Sequence, residues 1–279
     1  IAFADFEDSL TLRNWFSGNK IFETVRFYGS SADLSIDIEA INSWIGDEVG
    51  TADGEEGDNV SSSSGRDWIT TGFGNDIINN VRGNDIVHGG AGEDLVKVSQ
   101  VGNLLLGGKG TDFDVLSYES LGQGVYSDLS RGFSVNKSVY DNGDLLNPDS
   151  SYEVDTVINF EGLTGSGHND ILIGDRGENI LHGNGGNDYL TGGFGDDTYV
   201  FNRGDGSVVF EEFNDDLGLG DRPPEFGLND AVGTGADRIL FDASIGTEAL
   251  IFQRSTSNDA LDLIIQVYGT DDQIVLKNW

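Results

Sequence analysis

An aspartate or asparagine recurs every nine residues along one stretch of the chain, as Asp58, Asp67, Asp76, Asp85, Asp94, Asn103 and Asp112. Oxygen-bearing side chains at so regular a spacing, each behind a glycine-rich run, are the ligand chemistry of a hard divalent cation. The clearest copy is Gly89–Lys97, which sets a nine-residue frame of the form G-G-x-G-x-D-x-U-x, with U apolar. In that frame the eighth position reads Val60, Ile69, Ile78, Val87, Val96 and Leu105, and the fourth reads Gly65, Gly74, Gly83, Gly92 and Gly110. A second block restarts at Gly165, with sixth positions Asp170, Asn179, Asp188 and Asp197 and eighth positions Leu172, Leu181, Leu190 and Tyr199. One further unit contains Gly233, Gly235, Asp237 and Ile239.

The elements that must position these carboxylates follow from the period. Two nonapeptides make one 18-residue coil of a right-handed parallel β-helix, each giving a loop from its first six residues and a short strand from its last three. Repeats n and n+2 then lie above one another, so Asp58, Asp76, Asp94 and Asp112 form one column and Asp67, Asp85 and Asn103 the opposite one. An ion is expected between each vertical pair. The loop glycines, Gly72, Gly74, Gly83, Gly90, Gly92, Gly108, Gly110, Gly177, Gly186, Gly193 and Gly195, are expected to take positive φ and turn their carbonyls toward the ion. Backbone carbonyls plus the carboxyl and amide oxygens of Asp58, Asp67, Asp76, Asp85, Asp94, Asp112, Asp170, Asn179, Asp188, Asp197 and Asp237 suit calcium, whose six-to-eight-fold geometry is looser than that of magnesium. A single G-x-D is ordinary turn punctuation; eleven near-regular copies in the two blocks are not.

Composition narrows the classes of function. With 49 acidic and 15 basic residues the formal net charge is −34, which repels phosphate backbones and anionic lipid, so nucleic-acid and membrane-surface roles are excluded in favour of cations. There is no cysteine, which leaves neither a disulfide framework nor a thiolate metal site. No apolar run approaches the roughly 20 residues of a membrane span. Residues Ile1 to Asp8 lack the form of a secretory signal, and the absence of an initial Met reads as a fragment of something longer. Low hydrophobicity with high charge is also a signature of disorder, which is the expectation for the metal-free chain.

The repeats resemble the RTX family, the hemolysin-type calcium-binding repeat proteins exported by type I secretion. The resemblance is carried by Gly192–Phe201, read GGFGDDTYVF, followed by Arg203–Gly206, and by the lead-in Asp155–Gly165, read DTVINFEGLTG; with the first block it covers about half the chain. It implies a chain that crosses the low-calcium cytosol unfolded and folds outside the cell as calcium neutralises its carboxylates. At the ends, Glu7–Trp15 parallels Asp271–Trp279, which resembles the β-rich unit found beside such repeats and implies one period of a tandem array.

The expected architecture is therefore all-β, a parallel β-roll in two repeat blocks with flanking β-rich capping units. Its parts are a flanking unit at 1–52, a first block at 53–116, a connector at 117–163, a second block at 164–210, and 211–279 holding an acidic loop, the last repeat and a second flanking unit. Within the connector, strand character is expected around Gly124 to Leu129 and a loop from Asn142 to Ser151. Departures at Asn103, Asn179 and Gly206 and the glycine-poor loop Val98–Asn103 should weaken sites, so five to seven calcium ions are expected rather than one for every pair.

Other chemistry recedes on inspection. His88, His168 and His182 lack metal-site partners in sequence and read as surface or rung-lining residues, and Ser61–Ser64 read as a loop. Trp15, Trp44, Trp68 and Trp279 read as core or cap, and Asp215, Asp216 and Asp221 as part of a solvated acidic excursion with room for an extra ion. The expectation is a secreted, monomeric calcium-binding module without catalysis of its own, its parent a client of the type I secretion machinery. The alternatives are an adhesive module for a glycan or surface partner, or the accessory region of an exported hydrolase or epimerase.

Overall fold

The computed structural model describes residues 57–82, 84–108, 111–143, 153–210, 236–255 and 262–277, together with the backbone of three strands nearer the start. Gly83, Gly110, Gly233, Gly235, Asp215, Asp216, Asp221, Trp15, Trp44, Trp279, residues 144–152 and 211–235, and most of the segment 1–52 lie outside the described residues. The chain divides into two units, residues 1–48 and 49–279. In the first, β1 (Thr24–Phe27) and β2 (Leu34–Asp37) form an antiparallel pair.

The larger unit is a stack of short strands. After β3 (Asp47–Thr51), the first block supplies β4 (Asn59–Ser61), β5 (Asp67–Phe73), β6 (Ile77–Val81), β7 (Ile86–Ala91), β8 (Leu95–Val98), β9 (Leu104–Gly108) and β10 (Val115–Ser117). Even-numbered strands of this block pair in parallel with one another in one sheet, and β5, β7 and β9 do so in a second. The 18-residue coil is explicit in the register: Val60 pairs with Ile78 and Ile78 with Val96, while Ile69 pairs with Val87 and Val87 with Leu105. Because successive strand residues face opposite sides, the eighth position points between the sheets, joined at strand ends by Val81, Val98 and Phe201. Ile69, Ile78, Val87, Val96, Leu105, Leu172, Leu181 and Leu190 are accordingly all fully buried. Each such side chain contributes about 1.5–3 kcal/mol.

The connector departs from this rhythm without leaving the stack. It contributes β11 (Val125–Asp128), β12 (Phe133–Asn136), the one-turn helix α1 (Lys137–Asp141) and β13 (Val154–Ile158). Strand β13 lies parallel on β9, β12 runs antiparallel between β13 and β11, and β11 in turn carries the second block. Thus an antiparallel hairpin is wedged into an otherwise parallel sheet. Its outward face is closed by a second small core, in which Tyr126 stacks on Tyr140 of α1 at 4.7 Å and on Phe133 at 5.6 Å, over Ile171 and Ile173.

The second block resumes with β14 (Gly162–Thr164), β15 (Ile171–Ile173), β16 (Ile180–His182), β17 (Gly186–Thr191), β18 (Thr198–Phe201) and β19 (Gly206–Phe210). Beyond it, β20 (Arg238–Phe241) ends the first sheet on β18. The antiparallel run of β21 (Leu250–Arg254), β22 (Leu263–Val267) and β23 (Gln273–Leu276) ends the second sheet by pairing β23 with β19. Among the described residues the two sheets hold eight and thirteen strands, and the architecture is the all-β roll expected from the repeat.

Candidate metal centre

Each sixth-position residue stands just before or at the start of a strand, where the coil below presents a backbone N–H that its own ladder leaves unpaired. The carboxylate satisfies it. Asp76 Oδ1 accepts from the N–H of Asp58 at 2.7 Å, Asp94 Oδ1 from Asp76 at 2.9 Å, Asp85 Oδ1 from Asp67 at 2.9 Å, and Asn103 Oδ1 from Asp85 at 3.0 Å. In the second block Asp188 Oδ1 takes the N–H of Asp170, Asp197 Oδ1 that of Asn179, and Asp237 Oδ1 that of Asp197. One oxygen of each residue is therefore a structural cap, and the chemistry rests with the other.

The column expected through Asp112 passes instead through Asp114, whose Oδ1 accepts from the N–H of Asp94 at 2.9 Å. Asp112 is exposed and only receives the N–H of Gly92 at 3.1 Å. The loop after β9 is two residues longer than the frame allows, as the 20-residue pairing of Leu95 with Val115 shows. The signal was present in sequence: the frame puts Asp114 where an apolar residue belongs, and Leu116, two positions on, is the buried one. Three further carboxylates outside the expected set complete the columns. Glu161 Oε2 caps Asp114, Asp155 Oδ1 caps Gly102 and Asn103, and Asp272 caps Gly204 and Gly206.

The second oxygens divide into two kinds. On Asp58, Asp76, Asp94 and Asp188, Oδ2 is buried with no hydrogen-bond partner, although Asp76, Asp94 and Asp188 are at most 2 % exposed. A buried carboxylate oxygen left so is costly unless something positive meets it. Burial accordingly pushes the carboxyl of Asp94 up to about 7 and that of Asp188 to about 8, from 3.8, with repulsion from neighbouring aspartates adding to it. Oxygen donors also converge there. A Cβ placed on Gly89 would collide with Asp94 Oδ2 and with the carbonyl of Gly107, and one on Gly183 with Asp188 Oδ2. A Cβ on Gly90 or Gly92 would strike the carbonyl of Gly72 or Gly74. These glycines are left-handed, with φ of 121° at both Gly90 and Gly92, 97° at Gly72 and 110° at Gly74.

The remaining second oxygens are satisfied by the protein. Asp67 Oδ2 accepts from the N–H of Ser63 at 2.7 Å and the hydroxyl of Ser62 at 3.1 Å; Asp85 Oδ2 accepts from Ser62 at 2.6 Å and the N–H of Arg82 at 2.8 Å. Asp170 Oδ2 takes the N–H of Ser166 at 2.7 Å. At the two asparagines the side-chain amide stands in for a cation, since Asn103 Nδ2 donates to Asp155 Oδ1 and to the carbonyl of Gln100, and Asn179 Nδ2 to the carbonyl of Glu161. Of the expected glycine ligands, Gly186, Gly193 and Gly195 are left-handed, whereas Gly108 and Gly177 are not among the positive-φ residues. His182 Nε2 sits 3.1 Å from Asp205 and 2.9 Å from the Asn202 amide, part of the coil wall.

Among the described residues no three His, Cys, Asp or Glu side chains converge on one point. Carboxylates standing singly among backbone carbonyls are oxygen donors of the kind that suit calcium rather than a transition metal. A parallel roll with oxygen-lined loops between its coils defines the class, a metal-binding β-roll. The model of the RTX calcium-binding nonapeptide repeat matches in four copies, over residues 53–80, 81–97 and 164–199. The chain carries RTX repeats, and its roll is a calcium-binding one. No curated protein matches it. Among the described residues no helix is long and apolar enough to cross a membrane.

Proposed function

We propose that this roll is a structural module of an exported protein, which remains unfolded where calcium is scarce and folds outside the cell as calcium enters its loops. The observation that carries the reading is the set of buried, partnerless Oδ2 atoms on Asp58, Asp76, Asp94 and Asp188, those of Asp94 and Asp188 set against Gly89 and Gly183. Asp76 and Asp94, with the carbonyls of Gly72, Gly74 and Gly107, would hold ions in the first block, and Asp188 in the second. Calcium would supply the positive charge that the chain, at −34, lacks at these points.

Extracellular calcium modules bind with Kd on the order of 10⁻⁴ to 10⁻³ M. An ion at ten times its Kd adds about 1.4 kcal/mol. A handful of ions then matches the net stability of an ordinary domain, about 5–15 kcal/mol. The module is read as structural rather than catalytic, because one oxygen of each column carboxylate is committed to a backbone N–H and the other to an ion or a protein donor. Localisation outside the cell follows from the calcium requirement.

A calcium titration of the chelated chain, followed by circular dichroism and calorimetry, tests this. Strand signal and a cooperative melt should appear together as calcium rises to millimolar levels. The same spectrum and melting temperature with and without a chelator, and no heat of binding, would sink it.

A further inference from the structure

We infer that the chain decides loop by loop which coils take calcium, through the handedness of the residue at the second position of each loop, and that the loops ending at Asp67, Asp85, Asp170 and Asn179 are closed to the ion. The inference rests on the calcium reading above.

Beside Asp58, whose loop lies mostly outside the described residues, the loops 71–76, 89–94 and 183–188 leave the Oδ2 of their aspartate buried and without a partner. Their second positions are Gly72, Gly90 and Asn184, at φ of 97°, 121° and 68°, and their fourth positions, Gly74, Gly92 and Gly186, are left-handed as well at 110°, 121° and 137°. In this conformation the second N–H turns away from the carboxylate and the carbonyls line the gap. Asparagine reaches it at Asn184 because its short polar side chain tolerates the left-handed region.

In the loops 62–67, 165–170 and 174–179 the second residue is Ser63, Ser166 or Asp175, and none of these is among the left-handed residues. There the N–H points inward and donates to Asp67 Oδ2 at 2.7 Å, Asp170 Oδ2 at 2.7 Å and Asn179 Oδ1 at 2.8 Å. In the loop ending at Asp85 the third residue, Arg82, does the same at 2.8 Å. The first position of the cradle is the same, since a Cβ on Gly165 would strike Asp170 Oδ2 and the carbonyl of Gly183, just as one on Gly89 strikes Asp94 Oδ2 and the carbonyl of Gly107; the fourth positions Gly65, His168 and Gly177, like the second, are not left-handed. That backbone N–H recurs at every filled oxygen, joined by the Ser62 hydroxyl at Asp67 and Asp85 and by the Ser166 hydroxyl, at 3.2 Å, at Asp170. The first block therefore takes ions along the edge of Asp58, Asp76 and Asp94, while the edge of Asp67, Asp85 and Asn103 is held by protein donors alone.

The test counts bound calcium by native mass spectrometry, with circular dichroism confirming that each variant is folded. Asp94→Asn should lose one ion and Asp170→Asn none. Ser166→Gly should gain one, because glycine can turn left-handed and withdraw the N–H, whereas Ser166→Ala, which removes the hydroxyl but keeps the backbone restriction, should keep the parent count. Loss of an ion in Asp170→Asn, an equal gain in Ser166→Ala, or no gain in Ser166→Gly overturns the inference while leaving calcium binding itself intact. A parent chain that takes up no calcium overturns both.

Discussion

Asp94 and Asp155 are both buried in the wall of the same roll, at 1 % and 0 % exposure, and they are neutralised in opposite ways. Asp155 is surrounded by the protein: it accepts from the N–H groups of Gly102 and Asn103, from the Asn103 amide and, at 2.8 Å, from the hydroxyl of Tyr118. Asp94 Oδ1 receives the N–H of Asp76, and its Oδ2 receives nothing. On the reading proposed above, a coil whose donors are built in needs no ion of its own, and a coil that lacks them is conditional on one. The wedge of β11, β12 and α1, with its aromatic outer core, belongs with Asp155 on the unconditional side.

The largest expected effect of that difference is on metal removal. In a chain partly depleted of calcium, hydrogen exchange should accelerate most in the strands that flank 71–76, 89–94 and 183–188. The amides of Tyr126, Val135 and Val157 should be lost last, because hydrophobic burial and protein donors hold them. Uniform exchange throughout the roll would show that the two kinds of site form a single cooperative unit and that the contrast has no energetic meaning.

Acid should substitute in part for calcium. Burial, with aspartate repulsion behind it, raises Asp94 to about 7 and Asp188 to about 8, and burial raises Asp155 and Asp170 to about 6, all from 3.8. A folded-state value above the unfolded one means that the folded chain binds more protons in between. The stability this confers is fully present below about 3.8 and is lost as pH rises through about 6 to 8. The chelated chain should therefore show more strand signal at pH 5 than at pH 8, and the gap should close when calcium is present. A chelated chain with more strand signal at pH 8 would show that these carboxyls are not buried without cations.

Much of this contrast could be read from the chain alone, and part could not. The nine-residue frame located the interior, because an apolar residue at one position in nine has only one side of a short strand on which to hide. It did not distinguish Ser62–Ser64 from the glycine pairs elsewhere, although serine at the second position was visible; what matters there is the sign of φ and the reach of an N–H across five residues. Nor did it find β12, α1 or the cap at Asp155, since a wedge that pairs antiparallel obeys no repeat, and its partners are set by tertiary contact.

A smaller effect should follow from Tyr118→Phe. The hydroxyl at 2.8 Å is one of the donors that let Asp155 dispense with a cation, and Tyr118 itself is fully buried. Its removal leaves a buried carboxylate oxygen short of a partner, which costs about 1–3 kcal/mol. Melting at saturating calcium should fall accordingly with the calcium count unchanged. A variant that gained an ion at this position would mean that the tyrosine occupies a latent metal site.

The smallest effect separates two aspartates that sequence spacing alone would rank the other way. Asp112 falls on the nine-residue frame but is exposed, and its one bond, from the N–H of Gly92 at 3.1 Å, lies at the surface. Asp112→Ala should therefore change stability by no more than about 0.5 kcal/mol. Asp114 is off the frame, buried at 3 % exposure, and holds the N–H of Asp94 at 2.9 Å. Asp114→Ala should cost about 1–3 kcal/mol by leaving that N–H unpaired. It should also disturb calcium at the loop 89–94, because the coil that carries the Gly107 carbonyl would lose its anchor. Paired calorimetric melts of the two variants decide it: if Asp112→Ala proves the more damaging, the column runs along the sequence frame after all and the longer loop after β9 is no part of it.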